Sequence, residues 1–113
     1  MTSPITTHVL DTAHGVPAEG VRVALEQESE GRFHTVGEGT TDADGRLRTL
    51  LPGGPLPGGA YRITFDVGSY FAARGVDSFW RHVAIEFFVK DPDGHYHVPL
   101  LVSPYGYSTY RGS

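Results

Sequence analysis

Apolar and polar residues alternate with a period of two along most of this chain. The alternation is clearest in four stretches, residues 21–25, 61–67, 83–89 and 96–102. Successive side chains of a β-strand point to opposite faces, so this period predicts strands with one buried face. The spacing of the stretches predicts seven or eight short strands, which is typical of a β-sandwich with Greek-key connections.

The segments between the predicted strands carry turn residues. Residues 42–45 read Asp-Ala-Asp-Gly and predict a tight turn. Residues 52–59 hold three prolines and four glycines, which predicts an extended loop. One short helix is predicted, capped by Ser69, formed by residues 70–74 and ended by Gly75.

Composition excludes several classes of protein. Apolar residues make up 39% of the chain and charged residues 19%, so we expect one all-β domain over residues 1–113. The absence of cysteine rules out a disulfide framework, a thiolate metal site and a cysteine nucleophile. A net charge of −4 without a basic run argues against nucleic acid and membrane as partners. No stretch resembles a membrane span or a secretory signal, so we expect a cytoplasmic protein.

The histidines bring in candidate chemistry, above all His97. Alternation in the strand over residues 96–102 puts Val98 and Leu100 on the core face and turns His97 to the opposite face. A partly covered imidazole has a pKa near neutrality and can take a proton from water as a general base. A polar histidine on a solvated sheet face fits the same pattern, so the spacing leaves both interpretations open.

A metal site is a further interpretation of these histidines. His95 and His97 lie two residues apart on one predicted strand, and His8 would complete a set of three if the fold brought it close. No local spacing fixes that third ligand, so we expect neither a metal nor a cofactor.

Two more features carry candidate chemistry. Arg46 follows the turn at residues 42–45, and its guanidinium fork suits a planar, carbonyl-rich ligand, although a solvated strand end is the plainer interpretation. The final run Tyr110-Arg111-Gly112-Ser113 follows a strand-like pattern in a part of the chain that usually frays. This run is therefore either an edge strand or part of a site.

Three motifs in order along the chain resemble the 5-hydroxyisourate hydrolases. They are Thr7-His8-Val9-Leu10-Asp11, Thr41-Asp42-Ala43-Asp44-Gly45-Arg46, and residues 95–113 with the terminal Tyr-Arg-Gly-Ser. The resemblance covers nearly the whole chain. It implies a transthyretin-like sandwich of two antiparallel sheets with one short helix. It also implies a homotetramer, a dimer of dimers whose sites line a channel between the dimers.

The resemblance further implies a reaction and a set of site residues. Members of this family hydrolyse 5-hydroxyisourate, the unstable product of urate oxidation, to 2-oxo-4-hydroxy-4-carboxy-5-ureidoimidazoline. Water attacks a ring carbonyl and the cyclic amide opens. The implied catalytic residues are His8, Arg46, His97 and Ser113, and the implied substrate-binding residues are His8, Arg46, Tyr110 and Arg111.

Two other functions stay open. Vertebrate transthyretin is similar in fold and carries a hydrophobic hormone in the same channel, but it lacks the terminal Tyr-Arg-Gly-Ser and the histidine and arginine set. This chain retains them, which favours the enzyme. A carbohydrate- or surface-associated sandwich module is the third interpretation.

The sequence departs from the hydrolase pattern at Phe79-Trp80-Arg81, where the family has proline after the aromatic pair, and in the long loop over residues 52–59.

Overall fold

The computed structural model describes residues 2–113. In this range the chain forms nine strands and one short helix, which confirms the predicted all-β fold class. The elements are β1 (Ile5–Asp11), β2 (Val16–Pro17), β3 (Arg22–Ser29), β4 (Arg32–Thr40), β5 (Arg46–Leu47), β6 (Gly59–Phe65), α1 (Val67–Ala72), β7 (Val83–Val89), β8 (Tyr96–Ser103) and β9 (Gly106–Thr109). No helix of the described range has the length and apolarity that crossing a bilayer requires.

The strands form two sheets. The first sheet has the order β2-β1-β8-β9, with β5 also paired to β1, and the second has the order β4-β3-β6-β7. The expectation of two antiparallel sheets is wrong for one pair, since β1 and β8 run parallel from Ile5 opposite Tyr96 to Asp11 opposite Val102. A parallel pair needs a long connection, and here most of the chain lies between the two strands.

The core lies between the two sheets, on the faces that the alternation predicts. On β8, Val98, Leu100 and Val102 are buried, and on β6, Ile63 and Phe65 are fully buried. The opposite faces carry the polar residues His97 and Ser103 on β8, beside Pro99 and Leu101, and Arg62 and Thr64 on β6. Because the core takes every second residue of β1 and β8, the residues between them lie together on the outer face of the first sheet.

The short helix begins earlier than predicted. It runs over Val67–Ala72 instead of residues 70–74, and its N-cap is Asp66, whose carboxylate accepts the Ser69 N–H at 3.2 Å. Both residue types cap helices well, and Asp66 is the one that directly follows the preceding strand. The helix also ends earlier than predicted, with Ala73 as its C-cap, and Gly75, with a φ of +71°, lies in the turn that follows.

The helix is anchored to the first sheet through one buried hydrogen bond. The hydroxyl of Tyr70 donates to the carboxylate of Asp11, the last residue of β1, at 2.8 Å. This bond fixes the helix at the C-terminal end of β1.

Candidate active site

His8 and Arg46 face each other across two paired strands. β1 and β5 pair antiparallel with His8 directly opposite Arg46, which puts the two side chains on the same face. The turn before β5 holds Arg46 in this position, because the Asp42 carboxylate accepts the N–H groups of Asp44 and Arg46, both at 2.9 Å. The predicted Asp-x-Asp-Gly turn therefore positions Arg46 beside β1.

The imidazole of His8 is held by the same turn. Its Nε2 lies 2.9 Å from the carbonyl oxygen of Asp44. A carbonyl only accepts, so Nε2 carries the proton and Nδ1 keeps its lone pair. Burial, followed by the positive charge of Arg46, lowers the pKa of His8 below its ordinary value of 6.5. The neutral form of His8 is therefore favoured at pH 7.

His97 comes to the same face from β8. The parallel register puts His97 opposite Thr6, two residues before His8. Its Nδ1 lies 2.8 Å from the hydroxyl oxygen of Thr6. Burial, followed by the positive charge of Arg46, lowers the pKa of His97 below 6.5. The structure therefore brings a neutral, half-buried imidazole close to a guanidinium group.

The C-terminal run packs against His97. The N–H of Gly112 donates to the carbonyl oxygen of His97 at 2.8 Å, in an isolated antiparallel bridge. A Cβ atom at Gly112 would lie 2.5 Å from Cδ2 of the His97 ring, so only glycine allows this approach. The C-terminal run therefore covers part of the His97 side chain.

These side chains line one concavity on the outer face of the first sheet. Its volume is about 190 Å³. The predicted residues Arg46, His97 and Ser113 line it, and His8 lies beside it as the cross-strand neighbour of Arg46. Sequence reasoning missed the five other residues that line it, of which it had considered only His95, and that one as a metal ligand. They are Thr2, Thr6, Thr7, Arg48 and His95. One feature of the sequence could have identified Thr6, because it lies two residues before His8 and therefore on the same face of the strand.

Tyr110 and Arg111 lie in a different hollow. The structure does not bring them to the concavity of Arg46, but to an apolar one of about 270 Å³ on the other side of His97. The guanidinium carbon of Arg111 lies 4.7 Å from the centre of the Tyr96 ring, and its Nη2 contacts the carbonyl oxygen of His95 at 3.4 Å. Their part in substrate binding stays a prediction.

Two further observations bear on the chemistry. In residues 2–113 no three histidine, aspartate or glutamate side chains gather in an arrangement that holds a metal ion. A larger concavity, about 430 Å³, lies on the outer face of the second sheet between groups of opposite charge such as Arg22 and Asp66. None of the predicted site residues lines it, so its size does not make it the better candidate.

The sequence pattern of the family described as HIUase/Transthyretin matches residues 5–112. The chain belongs to this family. A relative from Caulobacter vibrioides, named 5-hydroxyisourate hydrolase, is 49% identical over 98% of this chain and 99% of its own length. The structure of Klebsiella pneumoniae 5-hydroxyisourate hydrolase superposes with a TM-score of 0.83 at 41% identity, covering 96% of this chain and 98% of that one.

A transthyretin is similar as well. The structure of sea bream transthyretin in complex with thyroxine superposes with a TM-score of 0.90 at 31% identity, covering 97% of this chain and 95% of that one. This similarity confirms the transthyretin-like sandwich. The backbone does not separate the two branches of the HIUase/Transthyretin family, so their difference lies in the side chains of the site.

Proposed function

We propose that this chain hydrolyses 5-hydroxyisourate to 2-oxo-4-hydroxy-4-carboxy-5-ureidoimidazoline. The observation that carries the proposal is the meeting of Arg46, His97 and the Gly112-Ser113 tail in one concavity. Relatives named for this activity, 49% and 41% identical over nearly the whole chain, support it. A neutral imidazole beside a guanidinium group supplies the base and the electrophilic group that hydrolysis of a cyclic amide needs.

In this proposal His97 is the general base. Its Nδ1 is engaged by Thr6, which leaves Nε2 to take a proton from water while the water oxygen attacks the ring carbonyl. The proton then passes to the ring nitrogen as the C–N bond breaks, so the base is regenerated. His97 is preferred to His8 because His97 lines the concavity, whereas His8 lies beside it.

The other residues bind and orient. Arg46 holds the planar substrate and stabilises the negative charge that develops on the attacked carbonyl oxygen. His8, with its Nδ1 lone pair free, orients the water, and the Ser113 hydroxyl bonds to the water or to an imidazole. Tyr110 and Arg111 shape the site from the adjacent hollow, against the far side of His97.

Product identification separates this function from its competitor. With urate and urate oxidase present, NMR should show the carboxylated imidazoline accumulating faster when this protein is added. The competitor is thyroid-hormone binding, which the similarity to sea bream transthyretin favours. Tight thyroxine binding together with an unchanged rate of product formation would reverse the assignment.

The assembly proposed is a homotetramer, a dimer of dimers, in the cytoplasm. The edge strands β7 and β9 support it, since they end the two sheets and each pairs on one side only within residues 2–113. Phe88 on β7 is 69% exposed and Tyr110 after β9 is 59% exposed, so an apolar surface lies at these edges. Light scattering should give four times the mass of one chain, and the mass of a single chain would contradict this part of the proposal.

The pH dependence of kcat/KM should have an acid limb centred below pH 6.5. Burial and the charge of Arg46 lower the pKa of His97 in the free protein below this value, and a base works only when it is neutral. We therefore expect a level kcat/KM from neutrality upward and a fall as pH drops through the lowered pKa. Arg48→Gln removes one positive charge near His97 and should move the limb to higher pH, whereas Arg32→Gln on β4 should not. A limb centred above 6.5 in the wild type would contradict His97 as the base.

The C-terminal run should affect catalysis through the contact of Gly112 with His97. Gly112→Ala is expected to lower kcat by about tenfold or more, because the new methyl group pushes the tail or the imidazole out of place. Gly106→Ala is the matched control, since a Cβ atom there meets only the Ser103 hydroxyl at an ordinary 3.8 Å. Circular dichroism should show both variants folded. If Gly112→Ala keeps full activity, the contact between Gly112 and His97 has no catalytic role.

A further inference from the structure

A single hydroxyl group links two histidines at the edge of the concavity. The side chain of Thr6 is buried, with 4% of its surface exposed. Its Oγ1 lies 2.8 Å from Nδ1 of His97 and 3.2 Å from Nε2 of His95. The strand register produces this arrangement, because Thr6 lies opposite His97, and His95 precedes His97 by two residues.

The bridge constrains the protons of both rings. A hydroxyl has one hydrogen to donate, so Thr6 can donate to only one of the two nitrogens. The other nitrogen must then carry a proton and donate to Thr6. In one arrangement Nδ1 of His97 donates to Thr6 and Thr6 donates to His95, which leaves Nε2 of His97 with its lone pair. In the opposite arrangement Nε2 of His97 carries the proton and cannot act as a base.

The surroundings of His97 favour the first arrangement. Its Nδ1 is bonded to Thr6, whereas its Nε2 has no hydrogen-bond partner within residues 2–113 and stays accessible to solvent. Arg46 and Arg48 line the same concavity, and their positive charges favour a lone pair over an N–H group directed toward them. His95 is exposed, so water can serve its remaining nitrogen in either tautomer.

We propose that Thr6 is a positioning residue that fixes His97 in the tautomer with a proton on Nδ1, using His95 as its second partner. The inference rests on the proposed role of His97 as the base. It extends that role, because the nitrogen held by the bridge determines which nitrogen is free to act.

The tautomer is measured directly by imidazole ¹⁵N NMR on the full protein without substrate, above the pKa of His97. The wild type should show a protonated Nδ1 and a bare Nε2 for His97. Thr6→Val keeps the shape of the side chain but removes the hydroxyl, and should shift His97 toward protonated Nε2. Thr6→Ser should keep the wild-type spectrum. Thr12→Val is the matched control, since the Thr12 hydroxyl donates to the Val102 carbonyl oxygen instead of a histidine, and Thr12 does not line the concavity.

Kinetics give the second readout. Thr6→Val should lower kcat by roughly tenfold to a hundredfold with little change in KM, which is less than the ~10²–10⁴-fold contributed by the base itself. Thr6→Ser should keep most of the wild-type kcat, because serine retains the hydroxyl group. The proposal is overturned if Thr6→Val keeps the wild-type tautomer, or if it shifts the tautomer and keeps the wild-type kcat. A wild type that does not turn over hydroxyisourate defeats the proposed function instead, and the NMR result still decides whether Thr6 fixes the tautomer.

Discussion

Replacing His97 by alanine is expected to lower kcat for hydroxyisourate by about 10²–10⁴-fold, the share that general-base catalysis contributes. Burial and the charge of Arg46 lower the pKa of His97 and favour its neutral form, and its Nδ1 is bonded to Thr6, so Nε2 is the nitrogen available to the substrate water. The loss should appear in kcat more than in KM, because proton transfer is made in the transition state. The decay of hydroxyisourate absorbance measures it.

Two histidine variants make this result specific. His34 is exposed on β4 in the second sheet, so His34→Ala should keep the wild-type kcat. His8→Ala should lower kcat less than His97→Ala, since His8 orients the water and does not take its proton. A larger loss in His8→Ala would transfer the role of base to His8. Wild-type kcat in a folded His97→Ala protein would remove His97 from the mechanism.

Replacing Arg46 by alanine is expected to lower kcat by about 10²–10³-fold, the usual effect of removing one group that stabilises an oxyanion. The Asp42 carboxylate fixes the backbone of Arg46, and the register with His8 fixes its face of the sheet. The guanidinium is therefore already in place before the charge develops. Stopped-flow measurement of kcat and KM checks the result.

The charge and the shape of Arg46 can be tested separately. Arg46→Lys keeps the positive charge but loses the planar fork, so it should recover only part of the activity. Arg32→Ala removes an exposed arginine from β4 and should have no effect. If Arg46→Ala retains wild-type kcat, the oxyanion is stabilised by another group, and Arg48 would be the next candidate in the same concavity.

Local patterns predicted the strands better than their pairing. The strand predicted over residues 83–89 matches β7, because alternation depends only on neighbouring side chains. The parallel pairing of β1 with β8 was not predicted, since it joins segments about 90 residues apart. The start of the helix was missed by three residues, because Val67 fits the alternation of the preceding strand and Asp66 caps as well as Ser69 does.

In the site, too, contacts between distant parts of the chain could not be predicted from local patterns. Motif resemblance pointed to Arg46, His97 and Ser113, and the structure places all three in one concavity. The position of Thr6 between His95 and His97 depends on the register of two distant strands, which no local spacing reveals. Tyr110 and Arg111 adjoin Gly112 and Ser113 in sequence, yet they line the apolar hollow beside His97 and not the concavity of Arg46.

The most direct test of the central claim is the rate at which hydroxyisourate disappears when urate oxidase forms it in the presence of this protein. The account predicts that substoichiometric protein accelerates the loss in proportion to its concentration, over many turnovers. It also predicts that His97→Ala protein at the same concentration gives only a small acceleration. A rate equal to spontaneous decay, measured with folded wild-type protein, would contradict the account.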